Sequence, residues 1–153
     1  MSKSWHLAHY NIARMRAPLD DLSMAGFVAN LHRLNQLADG SPGFIWRYQE
    51  QDGTSTSVRV RDDERLIINL SVWDSVEALF EFTYRSEHVE FYRRRRAWFE
   101  GLQQPYLVLW WVPAGSVLEV DEAEARLDHL IFHGPTPYAF TFKQRFPPPD
   151  VLQ

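Results

Sequence analysis

The eight residues Leu66–Trp73, LIINLSVW, constrain this chain more than any other stretch. Side chains alternate across a strand, so Leu66, Ile68, Leu70 and Val72 share one face, and Ile67, Asn69, Ser71 and Trp73 share the other. The first face is purely aliphatic and suits packing beneath helices. The second combines an amide, a hydroxyl and an indole with one aliphatic residue. A solvent face would rarely carry both Ile67 and Trp73, so this mixed face is expected to line a cavity or an interface. The chain then continues as DSVEALFEFTYRSEHVEFYRRRRAWF. Asp74 with Glu77 three residues on suggests a capping box for a helix. Arg85-Ser86 breaks that helix, and a second is expected from His88 to about Glu100.

The remaining elements follow from the same two periodicities. Trp5–Arg14 reads as a strand with Trp5, Leu7, His9, Asn11 and Ala13 on one face and His6, Ala8, Tyr10, Ile12 and Arg14 on the other. Asp20 or Asp21 can cap a helix from about Leu22 to Ala38, with Met24, Phe27, Val28, Leu31, Leu34 and Leu37 as its buried stripe. Asp39-Gly40-Ser41-Pro42-Gly43 ends it. Phe44–Gln49 reads as a second strand, joined through a polar loop over Glu50–Glu64 to the central strand as an antiparallel hairpin. Tyr106–Val112 is a dense β-prone run. Asp121–His133 is a helix stopped by Gly134-Pro135, Tyr138–Phe142 alternates as an edge strand, and an extended tail leaves from about residue 146.

The order β-α-β-β-α(α)-β, with a C-terminal helix and strand extension, is the ferredoxin-like split βαβ arrangement. It predicts one α+β domain over residues 1–153 with a four-stranded antiparallel sheet. Helices on one side would leave the other sheet face open. A second copy of the sheet is the usual cover, so a homodimer is expected, with the mixed face of Asn69, Ser71 and Trp73 between the two sheets.

Composition narrows the partners. Aromatic residues make up 14% of the chain, and large rings suit cavity walls and interfaces. The formal net charge of −4 argues against a nucleic-acid binder held by phosphate contacts. There is no Cys, hence no disulfide framework, thiolate metal site or Cys nucleophile. The N-terminus lacks the apolar core of a signal peptide, and no segment approaches the ~20 apolar residues of a membrane span. A soluble cytoplasmic protein with a small hydrophobic partner, and no nucleic acid or membrane partner, is the expectation.

Three segments taken in order, HLAHYNIARMRAPLDD, RLIINLSVWDSVEALFEFTYRSEHVEFYRRRRAWF and FHGPTPYAFTFKQRF, closely resemble the domain-of-unknown-function 3291 family. That family looks like a branch of the dimeric α+β barrel superfamily, which includes antibiotic-biosynthesis and haem-degrading monooxygenases. The Asn69-x-x-x-Trp73 spacing is similar to a pair in cofactor-independent quinone-forming members. There, an amide and an indole bind a phenolic substrate and stabilise its developing anion. The haem-degrading members hold iron through a helical His after a comparable Trp, and the resemblance carries that role to His88. No cofactor, or haem, is therefore implied.

Read from the residues alone, Asn69 and Trp73 lie about 13 Å apart on one strand face. They could instead be core residues, the amide bonding a backbone group. His88 shares a helical stripe with Tyr84, Phe91, Arg95 and Trp98. It could act as metal ligand or general base, or simply hydrogen-bond at a helix start. Of the run Arg93–Arg96, only Arg95 falls on the aromatic stripe as a candidate for an anionic group. His129 and His133 have a chelating spacing but no third ligand, and His6 and His9 lie on opposite strand faces. Glycine-rich phosphate loops and a GxSxG elbow are missing. The expected site joins His88, Asn69 and Trp73 as catalytic residues with Arg47, Ser71, Tyr84, Arg95, Trp98 and Asn11 as substrate-binding residues. Two readings stand: a monooxygenase-like enzyme acting on a flat hydrophobic substrate, or a non-catalytic module binding a hydrophobic ligand or haem.

Overall fold

The alternation of the central strand is matched by its partners. In the computed structural model, which describes residues 4–49, 56, 58–86 and 88–149, four strands form one antiparallel sheet. They are β1 (Trp5–Arg14), β2 (Phe44–Arg47), β3 (Leu66–Trp73) and β4 (Leu107–Pro113), in the order β2-β3-β1-β4. This is the split βαβ arrangement, with β3 and β1 in the middle. The registers His9↔Ser71 and Asn11↔Asn69 place those four residues side by side on one face. Leu109 and Leu107 continue the two rows on β4, and Arg47 meets Ser71 on β2.

The helices are α1 (Ala25–Asp39), α2 (Val76–Arg85), α3 (His88–Arg93), α4 (Arg95–Trp98) and α5 (Val120–His133). Asp21 caps a 3-10 turn over Leu22–Met24 by accepting from the Ser23 amide, and α1 follows directly. The expected stripe of α1 holds at Met24, Phe27 and Leu34, while Val28 is exposed because it falls on the outer edge. Ser75 caps α2, its hydroxyl accepting from the Ala78 amide. Asp74, expected in that role, stands one residue too early because the strand runs on to Trp73. The Asp74 amide instead donates to the Gly43 carbonyl at 2.7 Å. Gly43 sits at φ +83°, and a Cβ there would come within 2.5 Å of the Ala78 Cβ, so this turn requires glycine.

Two elements differ from the sequence reading. The helix expected from His88 to Glu100 is broken at Arg94 into α3 and α4. The chain after Trp98 must pair with the end of β1: Phe99 bridges Met15, the Trp98 carbonyl accepts from the Arg16 amide, and the Glu100 amide donates to Arg14. That pairing pulls the last turn out of line. The edge strand expected over Tyr138–Phe142 reduces to isolated bridges, Leu109↔Phe140 beside β4 and Thr136↔Ala139 within the turn before it. Residues 50–55 and 57 of the polar loop over Glu50–Glu64 lie outside the described residues.

The aliphatic face of β3 packs as the alternation demands. Leu66, Ile68, Leu70 and Val72 join Ala8, Tyr10, Ile12, Val108 and Trp110 against Ala123, Leu127 and Leu130 of α5. The mixed face is covered by α1 to α4 of the same chain. It does not point into a space between two sheets. The open sheet face expected to need a second copy is taken by α5, because the C-terminal extension returns across it.

Candidate functional site

The mixed face is packed at both ends and not in the middle. At one end Trp73 and Leu7 join Val76, Leu79, Leu109 and Phe140, with Phe44 and Phe82 against them. At the other Ile67 joins Met15, Met24, Phe27 and Trp98, with Ala13 and Leu31 against them. Between these clusters the floor consists of His9 and Asn11 from β1 and Asn69 and Ser71 from β3. Above that floor lies a cavity of about 430 Å³, roofed by residues of α1 to α4. This size suits a small organic molecule.

Asn69 carries the clearest sign of an open site. It is exposed at the centre of the central strand, between Ile68 and Leu70, which are 1% and 2% exposed. Among the described residues, neither Asn69 nor Asn11 makes a side-chain hydrogen bond. Their amides face the cavity as a neighbouring pair with donor and acceptor capacity unspent.

Trp73 occupies the cavity wall in a different manner from that implied by the resemblance. Its indole N–H donates to the Ser71 hydroxyl at 3.0 Å, and its ring meets Phe44 edge-on and Phe82 at a tilt. That N–H is spent inside the protein and is not offered to a ligand. The Ser71 hydroxyl in turn lies 3.0 Å from Nδ1 of His9. His9, 9% exposed, lines the cavity and is the functional candidate that sequence reasoning missed. The alternation of β1 already set His9 on the face of Asn11. Only the strand register, which the sequence does not display, sets it against Ser71.

His88 reaches the same cavity from the roof. Its Nδ1 lies 3.1 Å from the Thr83 carbonyl, which can only accept, so Nδ1 carries the proton and Nε2 the lone pair. The Ser86 hydroxyl oxygen accepts from the His88 backbone amide at 3.1 Å at the start of α3. Burial pushes the pKa of His88 down. His9 is pushed down to about 4 by burial and by the nearby His88, so both rings are neutral at pH 7.

The remaining candidates divide. Tyr84 lines the cavity, and burial, followed by the adjacent Tyr92, raises its phenol to about 12. Arg95 also lines it, its guanidinium 3.9 Å from the centre of the Tyr92 ring and donating to the Tyr92 carbonyl. Arg47 lines it too, but is paired with Asp39 at the end of α1. Trp98 does not line it. The break at Arg94 turns Trp98 into the packed cluster with Phe27 and Gly26. The side chain of Phe91, the remaining residue of the expected stripe, lies outside the described residues. His129 and His133 stack on each other away from the cavity, near Tyr138.

Among the described residues no group of three or more His, Cys, Asp or Glu side chains is placed to hold a metal ion. For haem, the tautomer of His88 is that of an axial ligand. The floor does not fit, because a porphyrin face over His9, Asn11 and Asn69 would bury polar atoms it cannot pair. No helix of the described residues is long and apolar enough to cross a membrane.

A split βαβ sheet, closed by α5 on one face and holding a polar-floored cavity under helices on the other, defines an α+β domain with an internal small-molecule-sized chamber. The chain belongs to the DUF3291 family, a domain of unknown function, whose model matches residues 6–153. No curated protein matches it. Among solved structures it is similar to SnoaB, a cofactor-independent oxygenase from Streptomyces nogalater (18% identity, TM-score 0.47, 74% of this chain and 96% of that one). It is also similar to PA3566 from Pseudomonas aeruginosa (14% identity, TM-score 0.48, 76% of this chain and 99% of that one). At these identities the shared residues are too few to carry chemistry between chains.

Proposed function

We propose that this chain is a small-molecule enzyme that takes a flat, largely hydrophobic substrate bearing an oxygen function into the cavity beneath α1 to α4. The observation that carries this reading is Asn69, an exposed amide between two buried residues of the central strand, facing a cavity of about 430 Å³. A neutral amide held open to a cavity, with its donors and acceptor free for a ligand, is what small-molecule recognition needs. Aromatic walls from Phe27, Phe44, Phe82 and Tyr92 suit a flat ring, and neutral donors on the floor suit its oxygen atoms.

The reaction class we propose is monooxygenase-like and cofactor-independent. A phenolic or enolic substrate is activated by gaining anionic character, which neutral donors stabilise without competing for its proton. Molecular oxygen is then the second substrate. Cavity and donors also serve simple ligand binding, so the test separates the two. A panel of flat aromatic phenols is titrated calorimetrically, and oxygen consumption is followed with an electrode without added metal or flavin. One site per chain with oxygen uptake is expected, and Asn69→Trp, which fills the cavity, should abolish both. Binding without oxygen uptake would leave a binding module. Failure of the whole panel to bind would sink the reading.

Homodimerisation is part of this proposal and is checked by light scattering in dilute neutral buffer. Two copies would meet on outer surfaces, such as the α5 side that leaves Phe132 81% exposed, because both sheet faces are already covered.

A further inference from the structure

Four neutral polar side chains form the cavity floor, and three groups in one line set the direction of their protons. Trp73 Nε1 can only donate, so the Ser71 hydroxyl oxygen accepts from it. Among the described residues His9 Nδ1 is the one side-chain acceptor within reach of the Ser71 hydroxyl proton. Every proton in the line finds an acceptor when Trp73 donates to Ser71 and Ser71 donates to Nδ1. That arrangement puts the remaining imidazole proton on Nε2. Nε2 has no hydrogen-bond partner among the described residues. It is also absent from the sealed, unpartnered nitrogens, which include Trp5 Nε1, His6 Nδ1 and His129 Nδ1. It opens on the cavity that His9 lines.

We infer that His9 is a neutral hydrogen-bond donor which, with the Asn69 and Asn11 amides beside it, forms a binding site for an oxygen carrying negative charge. The ligand class is a phenolate, an enolate, or a carbonyl whose oxygen gains charge in the reaction. Ser71 and Trp73 are positioning residues that act through His9. This inference rests on the proposed cavity function and deepens it.

The physical logic favours a neutral imidazole over a charged one. A cationic His beside His88 would be expensive in this interior, and burial keeps the ring neutral at working pH. A neutral N–H aimed at developing charge stabilises it without surrendering its own proton, as neutral imidazole does elsewhere in enzymes. Arg95, which makes no ion pair among the described residues, adds positive potential from the roof. The conserved quantity in this line is direction. The donor-only indole at Trp73 determines which nitrogen of His9 faces the ligand.

The test uses the full chain and 4-nitrophenol, whose ionised form is coloured. Long-range proton–nitrogen correlation spectra of histidine-labelled protein at neutral pH should show His9 protonated at Nε2, and Ser71→Ala should scramble that preference. Wild-type protein should shift bound 4-nitrophenol towards its coloured phenolate, the released proton going to the buffer. His9→Phe should lower phenolate affinity by about ten- to a hundred-fold, the range for losing one hydrogen bond to a charged group. His9→Gln, which restores an N–H, should recover much of that loss, and circular dichroism checks that each variant folds. A His9 ring protonated at Nδ1 would overturn the inference. So would unchanged phenolate affinity in His9→Phe while wild type binds, an outcome that leaves the cavity function standing. If wild type binds no phenol at all, the cavity function fails and the inference falls with it.

Discussion

The two faces of the sheet are built from alternate residues of the same strands, yet they are finished in opposite ways. Beneath α5, Leu66, Ile68, Leu70 and Val72 meet Leu127 and Leu130 in a continuous aliphatic layer. Beneath α1 to α4, Ile67 and Trp73 are packed into separate clusters, and Asn69 and Ser71 between them face open volume. One face is filled to the density of an interior, and the other stops short at its polar centre. On the proposed function, stability belongs to one side of the sheet and recognition to the other.

The sharpest way to break that assignment is Leu70→Ala. Leu70 is 2% exposed in the α5 layer, and truncating it leaves a cavity that close-packed neighbours only partly refill. A loss of about 2–5 kcal/mol in chemical denaturation is expected. A loss below about 1 kcal/mol would mean the α5 layer is loose and the contrast between the faces false.

That contrast was legible in the strand itself. Period-two alternation separated Leu70 from Asn69 without reference to any neighbour, and the β-α-β-β-α-β order gave the sheet topology. What lay beyond reach was set by pairing over long separations. His9 meets Ser71 across 62 residues, so its membership of the site depends on register and not on local pattern. The covering of the aliphatic face by α5 depends on where a C-terminal helix returns, and helical periodicity shows only that it has an apolar side. Trp98 failed for a third reason. Helical spacing put it beside His88 only so long as the helix ran unbroken, and pairing of Phe99 with Met15 breaks it.

A second, smaller effect distinguishes the faces by pH. The folded state holds His9 at about 4 against 6.5 for an ordinary histidine, chiefly through burial and then through His88. Above pH 6.5 both states are neutral at this site and it leaves stability unchanged. As pH falls below 6.5 the unfolded chain takes up the proton first, so stability drops until about pH 4, where the folded ring protonates too. Between pH 7 and pH 5 the loss is about 2 kcal/mol from His9, and His88, also pushed down by burial, adds in the same direction. Tyr84, held at about 12 chiefly by burial, takes no part in this window. His9→Gln should flatten most of this slope in denaturation curves at the two pH values. An unchanged slope would place the acid sensitivity elsewhere in the chain.

The smallest expected change in stability belongs to Asn69→Ala, and it makes the comparison decisive because it is adjacent to Leu70. Among the described residues the Asn69 side chain has no hydrogen-bond partner to lose, and its atoms face cavity space that the substitution merely enlarges. The cost should stay within about 0.5–1 kcal/mol, the range of substitutions that remove no packed contact. Ligand affinity should respond in the opposite proportion. A phenol that binds wild type should bind Asn69→Ala about tenfold more weakly, as expected for one lost hydrogen bond to a partly charged oxygen. The Asn11→Ala variant and the double variant complete a cycle, and the two amides should couple because they sit directly opposite each other in register. If Asn69→Ala proves as destabilising as Leu70→Ala, Asn69 is a structural residue. Both faces of the sheet are then core, and the cavity has lost its most telling residue.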